Sequence, residues 1–370
     1  MSRILSFALI SLLSCHLISC QEDDKNDELP REAFDRKMVL QDLYDAVILP
    51  DHLIMLEATL SLEESILDFE SEPSSESLQA VKEKWNDTAV SWKYCALYNL
   101  GDIEDSFIHL KIHVWPAQQD FIENFIEIEE EITPEFISGI GSSSKGLSAL
   151  EYLFFFSDEP STLANFTSSS NGESRMNYAK ALSKDLNTNI NELIALWKTG
   201  GYESEFVENP NFSFGDSYAI LVNQMIATLE VMEVRKMTKA MGLEAMGIVN
   251  PDLTEAPYSM FSKTLLLGDL MAVQKAFLSG LGGENLGIDD YLNHLNFDED
   301  VPLSVRITEA FDRSKNAFEN IPNEFSTEAS LQSPEALQAL NELKSLIVLI
   351  GTELPSRLGI TITPNTSDGD

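Results

Sequence analysis

Cysteine is nearly absent from this chain. Three occur in 370 residues, Cys15, Cys20 and Cys95, and the first two fall in an N-terminal stretch distinct from the body. No disulfide framework can therefore brace the fold. Basic side chains are scarce as well: 24 Lys and Arg stand against 61 Asp and Glu, a net charge of -37. Such a field repels phosphate backbones and excludes nucleic acid as a natural partner. There are five histidines and no H-E-x-x-H, so the common two-histidine zinc helix is missing. No long alternating β segment occurs. The apolar run from Ile4 to Leu13 is too short to cross a bilayer as a permanent helix.

What is present begins with that run. Arg3 precedes it, and the order fits an export signal. It closes in Leu17-Ile18-Ser19-Cys20, which resembles the bacterial lipobox, where the cysteine is acylated and becomes the new first residue. The alternative is an ordinary cleaved signal with a chance cysteine. "QEDDKNDE" follows as an acidic tether. The expected division is a signal over 1–19 and a tether over 20–36. Beyond it come a helical bundle over 37–160, a connection over 161–174 and a second bundle over 175–370.

The body reads as helices. Leu40, Leu43, Tyr44, Val47 and Ile48 share one face; Pro50 kinks or restarts the helix, and Leu53, Leu56, Leu60 and Leu67 are expected to continue the buried stripe. Leu78, Val81, Trp85 and Trp92 mark the next helix. Cys95 reads as a small core residue. Trp115-Pro116 looks like a helix start, with Phe121, Phe125 and Ile128 inward. "SDEPSTLANFTSSSNGES" breaks the apolar period. After it Tyr178, Leu182, Leu186, Ile190, Leu193 and Trp197 recur at helical spacing. A helix over 217–240 opens at Asp216, a candidate N-cap, and Ser333-Pro334 opens another. The short "LGITITP" alternates like a strand. The fold class is all-α, two packed helical bundles.

"LQDLYDAVILP", "SWKYCALYNLGDIED", "KIHVWP", "KGLSALEYLFF", "LVNQMI", "APYS" and "LGITITPNTSDGD" appear in that order. Together they resemble the imelysin family of bacterial envelope proteins over about residues 37–370. The resemblance implies an all-helical two-bundle fold, a role in iron or haem acquisition, and a G-x-H-x-x-E motif. Here that motif falls on Gly146, Ser148 and Glu151, and its histidine is absent. An imidazole and a carboxylate three positions apart on a helix can approach one cation, whereas a serine hydroxyl is a poor ligand for zinc or iron. The plain alternative makes Gly146 a close-packing residue, Ser148 an N-terminal cap and Glu151 its capping-box partner.

Other candidates are fewer. His109 and His113 have the i, i+4 spacing that can grip a metal from one helical turn, although Trp115-Pro116 follows closely. Asn223 lies in an apolar helical face, where a buried amide needs a specific partner. His52 and His294 are isolated. "NTSDGD" has a calcium-like composition without the twelve-residue loop. These readings describe an acylated protein of the cell envelope and outer membrane, anchored through Cys20, that binds rather than cleaves. Gly146, Ser148, Glu151 and Asn223 are the candidate ligand-binding residues, and Glu151, His109 and His113 the candidate metal ligands. The cofactor is unknown, with a divalent metal such as iron or zinc as candidate; a metal or haem ligand and envelope uptake proteins are the candidate partners. The rivals are a metallopeptidase, which would need a metal-bound water and a general base, and a structural or adhesive surface protein.

Overall fold

The computed structural model describes residues 34–363 except 129–130, 245–246 and 296. The signal segment, Cys20, most of the tether and the tail from 364 lie outside the described residues. Helix α1 (Arg36–Leu43) starts at Asp35, whose carboxylate accepts the Met38 N–H. It runs through a π turn, Tyr44–Ile48, into α2 (Leu49–Ser71), which carries Pro50 in its first turn. A proline ring crowds the carbonyl four residues back, and the wider π turn lies where that crowding falls. The same arrangement recurs near the other end, where the π turn Leu349–Glu353 precedes Pro355.

The remaining helices follow in chain order: α3 (Ser75–Ala96), α4 (Asp102–Asp105), α5 (His109–Ile112), α6 (Gln119–Ile128), α7 (Pro134–Gly139), α8 (Gly146–Phe155), α9 (Glu159–Thr167) and α10 (Gly172–Lys198). After these come α11 (Tyr202–Glu208), α12 (Ser217–Val231), α13 (Ser262–Leu278), α14 (Ile288–Leu295), α15 (Leu303–Glu319), α16 (Phe325–Leu331), α17 (Pro334–Val348) and α18 (Leu354–Leu358). There is no strand among the described residues. The chain is all-α, as its sequence indicates.

Helix α3 is the central element. Its Trp85 and Trp92 are buried as their spacing predicts, and the Trp85 indole N–H donates to the Leu147 carbonyl at 2.9 Å. On one side α3 packs with α2 and α8, and α10 lies across α2 and α8. On the other side it meets α13, which leads to α12, α15 and α17. Helix α10 therefore packs with the first group, not the second, and the serine-rich stretch before it carries α9. Cys95 is a buried free thiol whose pKa burial pushes well up.

Four local expectations change. On α2 the leucines Leu53, Leu60 and Leu67 are about half exposed (46–51%), and the buried stripe is His52, Met55, Thr59, Leu62, Ile66 and Phe69. Polar members of that stripe bond back to their own helix: Thr59 Oγ1 to Leu56 O, and His52 Nδ1 to Ile48 O. On α6 the inward residues are Ile122 and Ile126, while Phe121 and Ile128 point outward. Trp115-Pro116 is a cis peptide before α6 rather than its first turn. The "LGITITP" stretch forms no strand in its described part; Asn223 clasps it instead, accepting the Thr363 N–H at 2.8 Å and donating to Thr361 O at 3.2 Å.

A buried ionic floor beneath an interhelical cavity

Lys93 sits on the buried face of α3 beside Trp92, an unusual place for an ammonium group. Gly268 of α13 makes room for it: a Cβ there would lie 3.0 Å from Lys93 Cβ. Its neighbour Asp269 faces the same point. Lys236 arrives from the π turn Met232–Thr238 that continues α12, and Glu255 from the loop before α13. Glu255 contacts Lys93 through one oxygen and Lys236 through the other, at 2.6 Å to Lys236. Asp269 also pairs with Lys236 and lies 3.8 Å from Lys93. Two ammonium groups and two carboxylates thus alternate in a neutral square, each side chain at most 6% exposed. Burial alone would push the Glu255 carboxyl up, but Lys236 and Lys93 outweigh it and hold it far below the usual carboxylate range.

His113 completes the cluster, with Nδ1 at 3.3 Å from Glu255. Burial, reinforced by the Lys93 charge, lowers its pKa to about 3, so it is a neutral imidazole at physiological pH. Its ring stacks on Trp115, over whose face the Lys236 and Arg235 charges also lie, at 5.3 and 4.8 Å.

Above this floor opens a cavity of about 280 Å³, walled by Trp92, Trp115, His109, Glu104 and Gln224 among others. A second hollow of about 470 Å³ adjoins it, lined by Asp105, Phe214 and Asn223. The two share Asn99, Glu104, Gln224 and Ala227.

The predicted site residues divide between this cavity and a separate contact. Both His109 and His113 line the first chamber. They are not the expected helical pair, because α5 ends at Ile112 and His113 is extended. Asn223 lines the second chamber. Gly146, Ser148 and Glu151 are buried at the start of α8. Gly146 has φ +68°, and a Cβ on it would meet the Ile112 carbonyl oxygen at 2.1 Å. Ser148 does not cap: Lys145 occupies the N-cap position, and Ser148 Oγ is buried with no hydrogen-bond partner among the described residues. Nor does Glu151 close a capping box. Its Oε1 accepts the Tyr258 N–H at 2.9 Å, the Ser259 N–H at 2.8 Å and the Ser259 hydroxyl at 2.9 Å.

These residues do not fit a transition metal. Three donors already occupy Oε1 of Glu151, and a serine stands where an imidazole would be needed. Around His113 the two ammonium groups oppose a cation. No three His, Cys, Asp or Glu side chains converge as a metal site among the described residues.

Burial raises the Glu151 carboxyl to about 7, against the pull of its Ser259 and Tyr258 bonds. A raised carboxyl destabilises the fold once ionised. Glu151 should therefore cost nothing below about pH 4.5 and ~3 kcal/mol above pH 7, so stability falls between those values. Glu151→Gln, which keeps an acceptor and never ionises, should remove that slope. Urea midpoints of both proteins from pH 4.5 to 8 check this; parallel curves would contradict it.

Lys93, Lys236, Glu255 and Asp269 were not singled out from the sequence. Their signal was faint: one lysine after Trp92 on an apolar face, and one aspartate inside "LLLGDLMAV".

The family model for imelysin, under the heading of the M75 peptidases, matches residues 48–350. The chain belongs to the imelysin family. Solved structures agree in fold. An iron-regulated protein A precursor from Parabacteroides distasonis superposes with a TM-score of 0.71 at 16% identity, covering 90% of this chain and 97% of that one. An imelysin-like protein from Psychrobacter arcticum gives 0.70 at 16% identity, covering 89% and 97%. No curated protein matches this imelysin-family chain.

Proposed function

We propose that this imelysin-family chain is a non-catalytic binding component of the bacterial cell envelope, acting in the uptake of iron or an iron-bearing nutrient such as haem. The observation that carries the reading is the two-chambered cavity over a buried ionic floor. Concave, partly aromatic spaces with a few convergent polar groups are what small-ligand sites require. A solved protein of the same fold is described as iron-regulated, which directs the choice of nutrient. A peptidase is disfavoured because neither the motif residues nor the cavity histidines assemble the ligands and base that a catalytic metal needs.

Titrating the purified protein with haemin, ferric citrate and zinc, read by quenching of tryptophan fluorescence, tests this. Haemin or ferric citrate should bind saturably, and Ala227→Trp, which fills the junction of the chambers, should weaken binding at least about tenfold. Binding unchanged by the filled cavity, or chelator-sensitive hydrolysis of casein restored by zinc, would overturn the proposal.

Anchoring belongs to the same reading. The reading assigns attachment to acylated Cys20, the cysteine of the lipobox-like Leu17-Ile18-Ser19-Cys20. Cys20→Ala should lose the lipid label and leave the membrane fraction, since stable attachment needs more than one acyl chain. Equal membrane retention by the variant would refute the anchor.

A further inference from the structure

The loop between the short 3-10 turn Pro251–Leu253 and α13 is held in an unfavourable shape. Ala256 and Met260 both adopt φ of +54°, a left-handed conformation that side-chain-bearing residues keep only when their surroundings enforce it. One end of this loop carries Glu255, which sits between Lys93 and Lys236 on the cavity floor. The other end carries Tyr258 and Ser259, which α8 grips. Glu151 takes both of their backbone N–H groups and the Ser259 hydroxyl on a single oxygen. The Tyr258 ring packs edge-on against Tyr152 of α8 and Phe156 at its C-cap, at 6.1 and 5.3 Å.

A charged neighbour that perturbs the Glu151 carboxyl is another acid, Glu255, which raises it further. This buried carboxyl is costly when ionised, and the three hydrogen bonds it accepts all come from the 254–261 loop.

We infer that Glu151 is a positioning residue: its carboxyl group fixes the 254–261 loop in the conformation that seats Glu255 between Lys93 and Lys236. The remnant of the metal motif is thus a latch joining α8 to the cavity floor. Its functional weight rests on the cavity being the binding site, but the latch itself exists without any ligand.

The test uses the purified full chain without ligand. Hydrogen exchange reports the Tyr258 and Ser259 amides, and acetic anhydride labelling reports access to the Lys93 and Lys236 amines. Glu151→Ala should speed both exchange and labelling by about tenfold or more. Glu151→Gln retains the accepting oxygen and should return both to within about twofold of the parent. Ser259→Ala deletes one donor and keeps the fold if Glu151→Ala does not; it should raise both readouts by about threefold. Faster exchange with unchanged lysine labelling would make Glu151 a local tie only and overturn the inference. So would unchanged exchange in Glu151→Ala and Ser259→Ala. Failure of haemin or ferric citrate to bind would strike the functional proposal alone, since neither readout here involves those compounds.

Discussion

Glu255→Gln is expected to lower folding stability by about 3–5 kcal/mol at pH 7, the usual cost of removing one partner from a buried ionic network. The substitution keeps shape and volume, so no cavity contributes. What it removes is the charge facing both Lys93 and Lys236, each about 4% exposed. Asp269 must then compensate two ammonium groups alone, although it approaches Lys93 only to 3.8 Å. Adding Lys93→Met should recover part of the loss, because Lys236 and Asp269 then remain as a balanced pair. Urea denaturation followed by helical circular dichroism gives both differences. A Glu255→Gln protein within 1 kcal/mol of the parent would mean that water reaches the square and the floor is not a closed ionic network. The recovery in the double variant separates charge imbalance from simple loss of a hydrogen bond.

Such a square is poor evidence for stability as its purpose, since well-packed apolar side chains often replace buried ion pairs at no loss. Its place under a cavity is more informative. It supplies directed donors and acceptors at a desolvated surface without adding net charge.

How much of this could be read from the chain depends on how local each feature is. Helices α3 and α10 show one dominant apolar stripe each, and Trp85, Trp92, Leu182 and Trp197 are buried as read. Helix α2 offers two stripes, one of leucines and one mixed. Burial follows the mixed one, because α3 and α10 decide which face is covered. That choice is tertiary and leaves no local trace. The close-packing role of Gly146 was legible as one of two alternatives. The partner of Glu151 was not, since Tyr258 and Ser259 lie more than a hundred residues away. The ionic floor draws on residues 93, 113, 236, 255 and 269, and only the lysine after Trp92 and the aspartate inside "LLLGDLMAV" hinted at it.

Gly146→Ala should cost about 2–5 kcal/mol, combining two separate penalties. The first is the left-handed backbone at φ +68°, worth about 1–2 kcal/mol for a residue with a Cβ. The second is collision: the added carbon would lie 2.1 Å from the Ile112 carbonyl oxygen and 2.7 Å from its carbon. Both partners are backbone, so no rotamer change relieves the clash. The N-terminus of α8 and the end of α5 must separate, and overpacking of this kind costs about 1–3 kcal/mol. Gly139→Ala is the matched control, because a Cβ there meets nothing within 4 Å among the described residues; it should stay within about 0.5 kcal/mol of the parent. The displacement should also reach the cavity. Helix α5 begins at His109 and runs directly into His113, and both line the chamber. Haemin or ferric citrate binding by folded Gly146→Ala protein should therefore weaken, while Gly139→Ala leaves it unchanged. Thermal melting and fluorescence titration of the two variants measure this. Equal melting of Gly146→Ala and parent would show that α5 and α8 do not meet as closely as this glycine implies.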